Sequence, residues 1–274
     1  MVSSGEVRRG GAGARLRSGS RGAGGARVGI PRVAPRPGAR VAGTLRVGGT
    51  QVSDVQRARM LKAGMEVVGE LGYGGMSVAR VTARAGVSRR TFYELFEDRD
   101  DCFLEVFEEA VARVTAVARN AVAANELCGD DWCEQIRTGL AAVLLFFGEE
   151  PMMGALLVVD ALAAGPRVLE RRARVLEGLN ALVDAGRGYA GTEPPPLTAE
   201  GVVGAVISVV HARILERDRR PLIELLNPLM GMIVLPYLGQ AAAAAELERA
   251  LPRVPRKRAK AIEDPLDGLD MRLT

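Results

Sequence analysis

The stretch Val81–Phe96, VTARAGVSRRTFYELF, decides the reading of this chain. Phe92, Leu95 and Phe96 fall at i, i+3 and i+4, so one helical face is aromatic and apolar. Arg89, Arg90, Thr91 and Tyr93 then project from the rest of the helix. Upstream, Ala83, Ala85, Gly86 and Val87 are what two helices crossing through a tight turn require. Small residues allow close approach, the glycine takes positive φ, and the valine fills the corner. The pattern predicts a helix-turn-helix whose second helix, Ser88–Phe96, enters a DNA major groove. There arginines reach guanine edges, while hydroxyls and backbone amides reach phosphates.

Charge supports a polyanionic partner. Residues 1–50 hold ten arginines, no lysine and a single acid, Glu6, for a net of +9. The whole 274-residue chain is +4, so the rest carries −5. Within that remainder 57–96 is basic, with Arg57, Arg59, Lys62, Arg80, Arg84, Arg89 and Arg90 against Glu66, Glu70 and Glu94. The segment 97–274 is acidic. A basic module on an acidic body directs the polyanion to the module.

Working outward, 1–52 lacks periodicity and holds 13 of the 33 glycines, which predicts a disordered Arg/Gly-rich leader. Three readings of it stay open: a nonspecific DNA-binding arm, a segment like an organellar transit peptide, and a product of an upstream start codon. Asp54 is the expected cap of the first helix, with Leu61, Met65, Val68 and Leu71 as its apolar stripe and Gly72 as its end. Ser77, Ser88 and Asp98 are the expected caps of the next three helices. Further helices are expected near 131–147, 152–164, 166–188, 198–217 and 221–239, separated by CGDD, EEP, AGP, GTEPPP and DRRP. Residues 251–274 read as a flexible tail. No strand pattern occurs, so the fold class is all-α: a helix-turn-helix domain at 53–101 followed by a helical effector-binding and dimerisation domain at 102–250.

The segment 54–107, from the helix ending in ELGYGGMSV through VTARAGVSRRTFYELFEDRDDCFLEVF, resembles the tetracycline-repressor-like (TetR) transcriptional regulators. The resemblance implies that Ser77 holds a phosphate, that Arg89, Arg90 and Thr91 read bases, and that Tyr93 and Arg99 touch backbone phosphates. Thr82 stands where alanine is usual in the family, and Asp98-Arg99 replaces the usual Ser-Lys link. It further implies a homodimer on a double-stranded, pseudo-palindromic operator and release by a small-molecule effector. The expected compartment is a bacterial cytoplasm, with the protein on the nucleoid when DNA-bound.

In the second half, LTAEGVVGAVISVVHARILE and PLIELLNPLMGMIVLPYLG are the expected dimer helices, with burial inside one subunit as the alternative. Pro228 and Pro236 are expected to kink or end the last helix. The expected effector pocket lies in LAAVLLFFGEEPMMGALLVVDALAAGP, lined by Phe146, Phe147, Met152 and Met153. Asp160 interrupts its apolar run and either meets a cationic effector or serves as a salt bridge or surface position.

No phosphate-binding glycine loop or metal motif is present, and His211 is the lone histidine, so no enzyme chemistry, cofactor or metal is expected. Cys102, Cys128 and Cys133 form no disulfide framework. The apolar runs fall short of the ~18–20 residues of a membrane span, which predicts a soluble chain without a membrane partner. The competing function is a nonspecific nucleic-acid-binding protein that works through its leader.

Overall fold

The structure is a computed structural model that describes residues 47–216 and 220–252. Most of the leader and most of the tail expected above lie outside these residues. Among the described residues the only regular elements are helices. They are α1 (Val47–Gly75), α2 (Val78–Ala85), α3 (Arg89–Leu95), α4 (Arg99–Ala124), α5 (Trp132–Glu149), α6 (Pro151–Ala155), α7 (Ala161–Ala163), α8 (Pro166–Asp184), α9 (Thr198–Leu215) and α10 (Leu226–Glu248). A π-helical turn, Leu156–Asp160, joins α6 to α7, and 3₁₀ turns occupy Ala185–Tyr189 and Leu222–Leu225.

The caps explain where the early helices begin. The Ser77 hydroxyl accepts the Arg80 N–H at 3.3 Å, Ser88 accepts that of Thr91 at 3.1 Å, and Asp98 accepts that of Asp101 at 2.8 Å. Gly86 closes α2 in the left-handed region, φ 66° and ψ 39°, and its N–H returns to the Ala83 carbonyl. The start of α1 differs from expectation. The helix already runs from Val47, so Asp54 lies inside it. Its buried stripe is Met60, Ala63, Val67 and Val68, while Leu71 is 52% exposed. The buried face is rotated because α1 packs on both α2 and α4.

Phe92 and Phe96 are buried and tilt against each other at 5.2 Å, anchoring α3 beneath α1. The same core continues along α4 through Phe103, Val106, Phe107 and Ala110, so the two halves of the chain share one packed interior.

Farther on, the chain turns by 114° between α5 and the Pro151–Ala163 segment. α10 is longer than expected: Pro236 lies within it, and it runs on to Glu248 through a break at Gly239, φ 81°. Arg137 of α5 ties that end down, bonding Glu246 at 2.6 Å and Asn227 at 2.7 Å, with Arg137 and Glu246 both buried. Contrary to the sequence expectation, Thr198–Leu215 and Leu222–Glu248 are long and apolar enough, by length and composition, to cross a membrane. The apolar runs looked short because isolated polar residues interrupt them; averaged along a helix, those residues do not offset the Val, Leu and Ile content.

Candidate nucleic-acid interface and effector cavity

α3 presents the face its sequence pattern foretold. Arg89 is exposed, the Arg90 side chain is 89% exposed with its guanidinium on Glu94 at 3.0 Å, and Tyr93 is 60% exposed. Thr91 is the exception: partly buried, its hydroxyl lies 2.9 Å from that of Ser88, folded back onto the cap. Ser77 sits at the start of α2, its hydroxyl taken up by the cap.

The basic surface is narrower than the charge count implied. Arg84 is held by Glu70 at 2.6 Å and Glu66 at 3.3 Å, bonds that raise its own pKa and lower that of Glu70. Arg57 pairs with Glu105, donates to the Leu95 carbonyl at 3.3 Å and lies over the Phe96 ring. These two arginines brace α1 against its neighbours. Arg59, Lys62, Arg80, Arg89 and Arg90 remain on the exposed side.

Arg99 is part of a cluster that the sequence did not disclose. Its guanidinium bonds Asp100 at 3.0 Å and the Tyr73 hydroxyl at 3.0 Å, and lies 4.7 Å from the centre of the Tyr73 ring. The Tyr73 hydroxyl donates to Asp100 at 2.7 Å. That bond, reinforced by Arg99, holds the Asp100 carboxyl below its usual range, while burial and the same carboxylate push the Tyr73 phenol up. The backbone N–H of Tyr73 donates to Asp160 at 2.9 Å. Burial raises the Asp160 pKa, and the Tyr73 N–H opposes that rise.

A cavity of about 300 Å³ lies between α4, α5, α8 and α9, at the small end of the roughly 300–1,000 Å³ of small-molecule sites. Among the described residues, its walls are apolar except at Thr115, Gln135 and Arg172. Of the five expected pocket residues, Phe147 borders it. The other four lie elsewhere. Phe146 is on another face of α5, beneath the Arg113 guanidinium. Met152 is half exposed and closes over Gly69 of α1. Met153 is buried in α6, and Asp160 faces Tyr73. The walls come chiefly from Val, Leu and Ile of α8 and α9, helices whose apolar residues read equally well as ordinary core.

Among the described residues no group of three His, Cys, Asp or Glu side chains is placed to hold a metal ion. All three cysteines are free, and burial pushes the Cys102 and Cys133 thiols up to about 12.

The capped α2–turn–α3 unit and the helical body behind it define a helix-turn-helix protein. Residues 60–106 match the family described as bacterial regulatory proteins, tetR family. No curated protein sequence matches the chain. Among solved structures, FadR from Bacillus subtilis in complex with stearoyl-CoA superposes with a TM-score of 0.55 at 16% identity, covering 65% of this chain and 97% of that one. SmeT, the repressor of the Stenotrophomonas maltophilia multidrug efflux pump SmeDEF, gives 0.56 at 15% identity, covering 74% and 98%. A TetR-family regulator from Marinobacter aquaeolei VT8 gives 0.52 at 21% identity, covering 70% and 100%. These likenesses establish the fold.

Proposed function

We propose that the protein is a homodimeric, cytoplasmic transcriptional repressor that binds a pseudo-palindromic operator and is released by a small molecule that fills the largely apolar cavity. The observation that carries the reading is the α3 face: Arg89, Arg90 and Tyr93 stand exposed on a helix whose other side is locked into the core by Phe92. In this reading Arg89 and Arg90 meet base edges or phosphates, and Tyr93 and Ser77 meet phosphates. In the same reading Arg99 meets phosphate while its Nε and Nη2 stay on Asp100 and Tyr73.

Dimerisation is supported by the outer face of α9. Gly201, Gly204, Ser208 and Ala212 are exposed at helical spacing, and a Cβ built on either glycine meets nothing within 4 Å. On α10, Met232 and Leu235 are also exposed, one turn apart. Two such helices packing on their symmetry mates would form a four-helix interface in which small residues allow close approach. That contact, rather than a lipid bilayer, is the proposed cover for both apolar helices.

Release follows from one continuous path. Leu157 and Val158 line the cavity and belong to the same π-turn as Asp160, which accepts the Tyr73 N–H. A ligand that favours a different setting of that turn changes how the body holds α1 and α4. It thereby shifts the dimer toward spacings that do not fit the operator. The acyl chain of stearoyl-CoA in the similarly folded FadR is consistent with an effector that places an apolar part in this cavity.

The test is a footprint of the purified full chain on DNA flanking its own gene. Protection of a pseudo-palindrome, lost in Arg89→Ala and Tyr93→Ala, supports the reading. Diffuse binding that survives both variants and vanishes on deleting 1–52 would replace it with nonspecific binding through the leader.

A further inference from the structure

Among the described residues, the cavity walls contain a single charged side chain, Arg172 of α8. Of the nearby arginines, Arg167 pairs with Asp101 at 2.8 Å and Arg171 with Glu108, both carboxylates of α4. The buried Nη2 of Arg171 has no hydrogen-bond partner among the described residues, and Arg174 is exposed. Arg172 has no carboxylate partner among the described residues and is only partly exposed. The other polar wall residues offer little to a charge: Gln135 donates its amide to the Gly129 carbonyl at 2.8 Å, and Thr115 is neutral. A guanidinium in an otherwise apolar wall offers charge-assisted hydrogen bonds to an anion there.

The position of Arg172 along the cavity is fixed by its neighbours. Arg171 pairs with Glu108, beside the wall residues Phe107 and Val111. Trp132 donates to the Leu182 carbonyl at 3.0 Å, which places the C-terminal half of α8 beside the start of α5, where Gln135 and Ile136 form the other end. The charged end is thus the one made by the N-terminal halves of α4 and α8, and the opposite end is closed by apolar side chains and the engaged Gln135.

We infer that the effector is a single-chain amphiphile with an anionic head, its alkyl chain filling the cavity between α4, α5, α8 and α9 and its carboxylate or phosphate held by Arg172. This rests on the proposed ligand-responsive reading and deepens it. It also reverses the charge that Asp160 suggested from sequence. The lining supports a chain over a substituted ring system, because it lacks the several convergent polar groups that orient ring substituents. The volume of about 300 Å³ suits one such chain.

The test titrates the full-length protein with dodecanoate, dodecyl phosphate and dodecanol below their aggregation limits, by calorimetry and by the emission of Trp132, the single tryptophan. The expected result is that at least one anion binds about tenfold or more tightly than the alcohol, as charge-assisted hydrogen bonds imply. Arg172→Gln should bring that anion to the alcohol's affinity and leave the alcohol unchanged, and the preferred anion identifies the head group. Equal affinities for all three, or an anion preference that survives Arg172→Gln, would overturn the anionic-head assignment while leaving the apolar cavity as the effector site. Binding of none of the three, or binding unaltered by the cavity-filling variant Val206→Trp, would overturn the cavity reading as well. Circular dichroism of both variants verifies that they fold.

Discussion

The Asp160 carboxylate accepts the backbone N–H of Tyr73 across 2.9 Å, joining the π-turn of the helical body to the end of the first helix. Gly72, just before that N–H, has φ 71°, and a Cβ there would stand 3.3 Å from the same Asp160 oxygen. The contact thus depends on a glycine in both its backbone angle and its bareness. Asp160→Ala is expected to leave the Tyr73 N–H without its partner and to cost about 1–3 kcal/mol in urea unfolding. Asp160→Asn, which keeps an acceptor oxygen, should recover most of that loss. In an operator-release assay, Asp160→Ala should also weaken the effect of the ligand more than it weakens DNA binding.

The two carboxylates of this junction should respond to pH with opposite signs. Asp100 has its pKa lowered in the folded chain, first by the Tyr73 hydroxyl and then by Arg99. Its contribution is therefore present above the unfolded-state value and lost as pH falls toward the folded one. Asp160 has its pKa raised by burial, so the folded chain binds that proton more tightly, and stability falls as pH rises from the unfolded to the folded value. Urea midpoints across the acid range should show Asp100→Asn flattening the loss at low pH. Asp160→Asn should gain on the wild type as pH rises through the ordinary carboxylate range.

Substitutions on the exposed face of α3 should separate stability from recognition. Arg89→Ala is expected to leave the melting temperature within about a degree or two, as surface changes away from the core do. If Arg89 reads a base, operator binding should weaken by about 1–3 kcal/mol with relaxed specificity at one position. If it meets phosphate, binding should weaken uniformly and the salt slope should fall by about 1. Filter binding over a salt series distinguishes the two.

How much of this was legible beforehand varies with the range of the interaction involved. Ser77, Ser88, Asp98 and Gly86 act on their own neighbours within five residues, and all four do in the structure what their sequence positions suggest. The Phe92–Phe96 face was legible for the same reason. Arg57 and Arg84 counted as free cations because Glu105, Glu66 and Glu70 meet them only after α1 is packed. Asp160 attracted attention as a polar break in an apolar run, but its partner lies 87 residues away in sequence. The cavity walls were hidden because they are assembled from ordinary core residues on four helices, with no local mark to set them apart.

On α9, chain stability and association should move in opposite directions. Gly204→Leu removes an exposed helix glycine into open space, so it should stabilise the isolated helix by roughly 0.8–1.0 kcal/mol. The same side chain would block the close approach proposed for the partner helix. Sedimentation is expected to show a dimer for the wild type, as proposed, and a monomer for the variant. A variant that remains dimeric would move the interface to another face.

The Arg137–Glu246 pair tests how the last helix is held. Both side chains are buried, and without Arg137 the Glu246 carboxylate keeps Arg249 at 3.1 Å as its remaining cation, so Arg137→Ala should cost up to about 3–5 kcal/mol. The double variant Arg137→Met, Glu246→Leu should recover most of that loss, with calorimetric melting as the measure.

The three thiols have a practical consequence. Cys102 and Cys128 are buried away from solvent, and burial pushes the Cys102 and half-buried Cys133 thiols up to about 12. A cysteine introduced at Tyr93 on the exposed face of α3 would be the one that reacts, without prior removal of the native three. If the chain pairs as proposed, one spin label per subunit would act as a ruler between the two copies of α3, read with and without ligand in the unmodified background.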